Sequence, residues 1–330
     1  MRAELELRAP GYTGELRSIY LGGGTPSLWR PDCIARALEA IRARYGDPVE
    51  VTIEANPTDC TAESLAAWRA AGITRVSIGV QSFAADVLVT LGRDHRFGDG
   101  RAALDRVLGA GFEVSADFIL GVPGASLDVQ VQVDTRPAHL SIYELTIEER
   151  TAFGQRVRDG RLIPLPDDAL AELYTETHDR LTREGYEHYE ISSYARPGHR
   201  AVHNSLYWTG APFLGLGVGA ASLAVAADGA GVRQTNPRRA MDYLIAPGTP
   251  AERTEIPAGE MALDRAWLGM RTVDGVTTSS LAPARGVIDW LISEQLAVER
   301  GDRICPTLRG FLLADRVAAR IVQSWDVEAL

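Results

Sequence analysis

Five short apolar runs, each separated from the next by a helical run, constrain this chain more than any other feature. The runs are Ser18 to Leu21, Val49 to Asn56, Arg75 to Ser82, Val114 to Gly121 and His139 to Leu145. The helix-period stretches between them are Cys33 to Tyr45, Ala62 to Ala71, Arg101 to Ala110 and a short one near Leu127 to Asp134. Strands that are apolar almost throughout are buried on both faces, and strands that alternate with helices pair in parallel. Successive βα units wind right-handedly, so five in a row predict a barrel or an open part of one. The expectation is an α/β fold built on a partial (β/α) TIM-like barrel.

Such a fold does its work at the carboxyl ends of the strands. The first strand runs straight into Gly22, Gly23 and Gly24, followed by the Thr25 hydroxyl and Pro26. With no Cβ in the way, the backbone N–H groups of this turn are open to an anion or carboxylate, although a tight turn holding nothing has the same composition. The later strand ends carry Glu54 and Asn56, Gln81 and Ser82, Asp117, and Tyr143 with Glu144. A carboxylate embedded in an apolar strand needs a cation, a donor or a cavity. Two of them at one level, Glu54 and Asp117, suggest a shared polar site.

The chain has 330 residues, enough for one large α/β domain and a small appendage. Its 34 Lys and Arg against 44 Asp and Glu give a net charge of −10, which argues against nucleic acid as a main partner. No apolar run reaches the ~20 residues of a membrane span, and Met1 leads into a charged, helix-like RAELELRA with no signal-peptide pattern. Cys33, Cys60 and Cys305 are too far apart in sequence for a local metal knuckle or redox pair. A reducing, cytoplasmic setting is expected.

Beyond a long amphipathic helix, Asp167 to Glu184, the stretch Tyr186 to Trp208 is dense in aromatics and carries His188, His199 and His203. The glycine-studded FLGLGVGAAS, Phe213 to Ser222, permits close packing or a flat ligand. The span AVAADGAGVR reads as a surface turn and Pro247 to Pro257 as a linker.

Taken together, SIYLGGGTPSLW, VTIEANPTD, GITRVSIGVQSF with LGRDH, ADFILGVPG, HLSIYELTIEERTAFG, GYEHYEISSYARPG, HNSLYW and FLGLGVGAAS resemble one family. It is the radical S-adenosylmethionine (SAM) proteins related to oxygen-independent coproporphyrinogen III oxidase, and the likeness is to their heme-chaperone branch. The resemblance implies SAM near Gly23, Gly24 and Thr25, with Glu54, Gln81, Arg93 and Asp117 lining the rest of its pocket. It implies heme at HNSLYW, with His203 as axial iron ligand, Tyr207 and Trp208 as stacking walls, and heme-accepting proteins as partners. His188 and His199 remain rival ligands. The implied domains are 1–222, a radical SAM-type partial barrel with the heme-motif extension; 223–258, a connecting segment; and 259–330, a small, mainly helical, winged-helix-like domain.

One departure stands out. The family's CxxxCxxC loop, whose thiolates hold a [4Fe–4S] cluster, is absent from this sequence. Relative to the family, the barrel is expected to lack its first strand, leaving residues 1 to 14 as a helix tail without a partner strand. The crossover from Gly124 to His139 is also short for a full helix. Three readings follow: a family member whose recorded start falls late, a cluster-less binder of heme or SAM, and a coproporphyrinogen oxidase as the enzymatic alternative.

Overall fold

The computed structural model describes residues 1–93, 98–123 and 137–326. The described chain divides into two compact units, one of 18–32 and 50–201, the other of 1–17, 33–49 and 202–330. Their limits differ from the boundaries expected at 222 and 258.

The first unit is built on a curled seven-stranded sheet, an open half-barrel. Its strands are β1 (Ser18–Leu21), β2 (Glu50–Ala55), β3 (Arg75–Gln81), β4 (Glu113–Leu120), β5 (His139–Glu144), β6 (Glu187–Glu190) and β7 (Ser193–Ala195). They lie in the order β1-β2-β3-β4-β5-β7-β6. The first five are parallel, with Ile19 beside Val51, Ile53 beside Val76, Val76 beside Val114 and Ala116 beside Leu140. Ile53, Val76, Ile78, Val80, Val114, Ala116 and Phe118 are fully buried, as strands covered on both faces require. Helix Ala62–Ala70 buries Leu65 and Trp68, and helix Asp99–Gly109 buries Ala103, Leu104 and Val107. The expected helix near Leu127 to Asp134 and the short crossover it belongs to fall mainly outside the described residues.

The strands β6 and β7 return antiparallel, β7 against β5 and β6 against β7. They were not legible as strands because they are only four and three residues long and carry no apolar–polar alternation. Ring packing adds to their ladder pairing: His188 stacks on Tyr194 with centroids 4.1 Å apart.

The two ends of this sheet differ in chemistry. The starts of β2 and β3 carry Glu50 and Arg75, a buried ion pair at 2.8 Å. The start of β5 carries the fully buried His139, between the Ser115 hydroxyl and the Tyr189 hydroxyl. Burial pushes that imidazole down to about 3, so it stays neutral and structural. The carboxyl ends open instead on a cavity.

In the second unit, β8 (Ala221–Val225), β9 (Gly231–Thr235) and β10 (Glu252–Ile256) form an antiparallel sheet in the order β10-β9-β8. The stretch 223–258 therefore carries a sheet where a connecting segment was expected. Four of the five β10 residues are exposed and only Ile256 is buried, so hydrophobic alternation could not announce it. Leu223, Ile256 and Met261 form the small core beneath. Further on, helices Ala258–Gly269, Val287–Ser293, Leu308–Leu312 and Ala314–Ser324 surround β11 (Val276–Thr277), β12 (Ala297–Arg300) and β13 (Arg303–Pro306), ordered β11-β13-β12. Val287, Leu291, Ile304 and Ile321 are at the centre of that core.

The helix Arg2–Arg8, expected to lack a partner strand, is tied into the second unit by a buried polar cluster. Glu4 accepts from Asn236 Nδ2 at 2.5 Å, from the Tyr243 hydroxyl at 2.6 Å and from the Gly217 N–H at 2.9 Å. Arg8 donates to Gln234 Oε1 at 2.8 Å and Asn236 Oδ1 at 3.1 Å.

Candidate functional site

Tyr20, Gly24, Thr25, Glu54, Asn56, Ser77, Gly79, Gln81, Arg93, Asp117, Tyr143 and Glu144 line one cavity of about 500 Å³. That volume suits a small organic ligand. Sequence reasoning placed most of these residues at strand ends, and the parallel register brings them to one level. It missed Tyr20, Ser77 and Gly79. The signal for Ser77 was available, since Ser77, Gly79 and Gln81 alternate along β3 and so face one side.

Glu54 is held on both oxygens: the Tyr20 hydroxyl donates to Oε1 at 2.6 Å and the Gly23 N–H to Oε2 at 3.1 Å. The first open N–H of the glycine turn is thus used within the protein, and Gly24 and Thr25 are the part of the turn that lines the cavity. Gln81 adopts φ +64° where β3 loses register with β4. Its amide folds back over Gly79, where a Cβ would lie 2.7 Å from Nε2, so only glycine leaves room for that pose. A bulge that re-aims a side chain beside a cavity is a recurring site feature.

Asp117 is the least satisfied group in the cavity wall. Ser77 donates to its Oδ2 at 2.8 Å, while Oδ1 is shut off from solvent and has no hydrogen-bond partner. The residue as a whole stays partly accessible along the cavity; it is the carboxylate oxygen that is enclosed. Desolvation raises the group to about 7; the Ser77 and Ser141 hydroxyls pull it down and the Glu54 charge pushes it further up. A carboxyl raised in the folded state stabilises most below its unfolded value and loses that contribution as pH rises through the folded value. Asp117→Asn is therefore expected to gain about 2–4 kcal/mol over wild type at pH 8, a gain that disappears towards pH 4. Urea unfolding at the two pH values checks this, and a pH-independent difference would contradict it.

The predicted heme residues lie elsewhere. Helix Val202–Trp208 carries His203 in its first turn and Tyr207 four residues on, which puts them on one face. His203 is half-buried and Tyr207 is 55% exposed. The Trp208 ring stands nearly perpendicular to Tyr207 at 6.1 Å, and Phe213 lies 6.0 Å from Tyr207. Of the glycines of FLGLGVGAAS, Gly215 is engaged in packing, since a Cβ there would lie 2.0 Å from the Ala221 carbonyl oxygen, whereas Gly217 and Gly219 adopt positive φ without a close neighbour. Of the rival histidines, His188 is buried against Tyr194 and bonded to His178, whereas His199 Nδ1 meets Glu113 at 2.8 Å.

Comparison with known proteins places these features. The family model of the radical SAM superfamily matches residues 3–130. A protein of Mycobacterium tuberculosis (strain ATCC 25618 / H37Rv) named heme chaperone HemW is 35% identical over 333 residues, spanning 98% of this chain and 85% of its own length. This chain is a HemW-type member of the radical SAM superfamily. Other HemW proteins agree: that of Lactococcus lactis subsp. lactis (strain IL1403) is 32% identical across 92% of this chain and 84% of its own length. That of Escherichia coli (strain K12) is 37% identical across 70% and 62%. The solved coproporphyrinogen III oxidase HemN of Escherichia coli superposes with a TM-score of 0.80 over 97% of this chain and 81% of its own, at 19% identity, which speaks for the fold alone.

The superfamily implies SAM and a [4Fe–4S] cluster, and the HemW residues present fit the two differently. A sulfonium cation with an α-ammonium suits a cavity walled by Glu54, Asp117 and Glu144, with the Gln81 amide alongside. The cluster finds no ligand set. Cys33 lies on helix Pro31–Tyr45 beside Arg36. Cys60 is fully buried, donates to the Asn56 carbonyl, and has its thiol pushed up to about 12, against the thiolate a cluster needs. Cys305 is buried beside the Asp274 carbonyl. Among the described residues no three His, Cys, Asp or Glu side chains are grouped to hold a metal. Nor is any described helix long and apolar enough to cross a membrane.

Proposed function

We propose that this HemW-type chain is a heme chaperone acting in the cytoplasm, with heme as its cargo and heme-requiring proteins as its acceptors. The observation that carries the reading is the pairing of His203 and Tyr207 on one face of helix Val202–Trp208, in a chain related over nearly its whole length to proteins named as heme chaperones. A neutral imidazole supplies an axial iron ligand, and Tyr207 and Trp208 supply aromatic surface for the porphyrin face. We further assign SAM to the cavity at the ends of the parallel strands. Gly24, Thr25 and Gln81 offer it backbone and amide groups, Gly23 fixes Glu54, and Glu54, Asp117 and the exposed Arg93 supply charge. When bound, SAM supplies a sulfonium-activated nucleoside; the residues here bind and orient it. The coproporphyrinogen oxidase alternative is supported only by likeness of fold.

A chaperone must release its cargo as well as hold it. Loaded with hemin and mixed with an apo-heme protein of higher affinity, this chain is expected to pass heme on faster than hemin–albumin does at equal concentration. Transfer no faster than from albumin would leave a heme binder and remove the chaperone.

A further inference from the structure

The cavity holds two carboxylates whose situations differ. Glu54 has both oxygens occupied, by the Tyr20 hydroxyl and the Gly23 N–H. Asp117 has one oxygen on Ser77 and the other enclosed without a partner. An enclosed, half-satisfied carboxylate is costly to ionise, most of all beside a second carboxylate. The groups facing Asp117 are Tyr20 on β1, Glu54 on β2, Ser77 on β3, and Ser141 and Tyr143 on β5, with Arg93 and Glu144 further along the cavity wall. Among the described side chains lining the cavity, Arg93 alone is cationic, and it is solvent-exposed.

We propose that Asp117 makes ligand uptake by this cavity proton-linked, so that a sulfonium ligand enters with loss of the Asp117 proton and an uncharged thioether analogue enters with the proton retained. The cavity then discriminates by charge on the sulfur most strongly where Asp117 is ionised. The proposal rests on the assignment of the cavity to SAM. It adds a pH-dependent selectivity that the positions of the polar groups in the cavity wall do not give by themselves.

The size of the effect follows from burial raising the Asp117 carboxyl to about 7. At pH 6 about a tenth of the molecules carry the ionised carboxylate, and apparent affinity is reduced by that competent fraction. At pH 8 about nine-tenths carry it. SAM affinity is therefore expected to rise about tenfold between pH 6 and pH 8. S-adenosylhomocysteine has the same ammonium and carboxylate but a neutral sulfur, and its affinity is expected to change by less than about twofold.

The test is calorimetric titration of the full chain with SAM and with S-adenosylhomocysteine at pH 6 and pH 8. Each is run in two buffers of different ionisation heat, which counts protons released. The proposal expects proton release at pH 6 on binding SAM and none on binding S-adenosylhomocysteine. In Asp117→Asn, which keeps a hydrogen-bonding group towards Ser77, the preference for SAM should no longer depend on pH. Parallel pH profiles for the two ligands in wild type would overturn the proposal while leaving the SAM site standing. Absence of binding by either ligand at both pH values would overturn the SAM assignment, and the proposal with it. Should the variant fail to fold, the wild-type comparison decides alone.

Discussion

Replacing Glu4 with alanine is expected to cost about 3–5 kcal/mol of stability, the range for breaking a buried ionic cluster from one side. Glu4 is fully buried, Asn236 is 1% exposed and Tyr243 5%. The carboxylate takes hydrogen bonds from Asn236, Tyr243 and the Gly217 backbone and pairs with Arg8 at 3.4 Å. Alanine would strand the Tyr243 hydroxyl and the Gly217 N–H, leave Asn236 Nδ2 with only the Gly217 carbonyl, and leave Arg8 buried with only neutral acceptors, Gln234, Asn236 and the Gly215 carbonyl. Each stranded donor costs about 1–3 kcal/mol, although relaxation and water entry keep the sum below simple addition. Glu4→Gln should cost less, because it keeps the shape and one acceptor. Urea unfolding of both variants checks this. Changes within about 0.5 kcal/mol, as for an ordinary surface site, would mean that helix Arg2–Arg8 is not held as described.

That cluster marks a limit of sequence reading. Glu4 and Arg8 sit four apart on a short helix, which by sequence is a common surface pair. Their partners Gln234, Asn236 and Tyr243 lie more than 220 residues away, and no local pattern connects them. The same holds for β10, whose exposed Glu252 to Glu255 carry no alternation. By contrast β1 to β5 were legible within a residue or two at each end, because strands covered on both faces must be apolar throughout. The half-barrel followed from their alternation with helices.

The cavity was legible for a related reason. Parallel strands in register bring their carboxyl ends to one level, so acidic or amide residues at Glu54, Gln81 and Asp117 had to meet. Occupancy of individual groups was not legible. The sequence offered Gly23 as an open N–H, whereas Tyr20, unremarkable in an apolar strand, joins it in holding Glu54. The unpartnered state of Asp117 Oδ1 depends on which hydroxyls reach it, which only coordinates can supply.

Heme capture by helix Val202–Trp208 is the central claim, and its expected effect is large. Iron–imidazole ligation sets both affinity and spectrum, so losing the ligand removes more than a stacking contact does. Tyr207→Ala, which deletes an exposed wall, should weaken binding while leaving the ligation spectrum in place. His199→Ala serves as the rival, since an imidazole backed by Glu113 is also a competent ligand.

The direct measurement is a hemin titration followed by the Soret band and by resonance Raman of the ferrous form, in wild type, His203→Ala and His199→Ala. The account predicts a histidine-ligated spectrum in wild type and His199→Ala, and at least tenfold weaker binding with loss of the iron–histidine signature in His203→Ala. An unchanged affinity and iron–histidine signature in His203→Ala would contradict it.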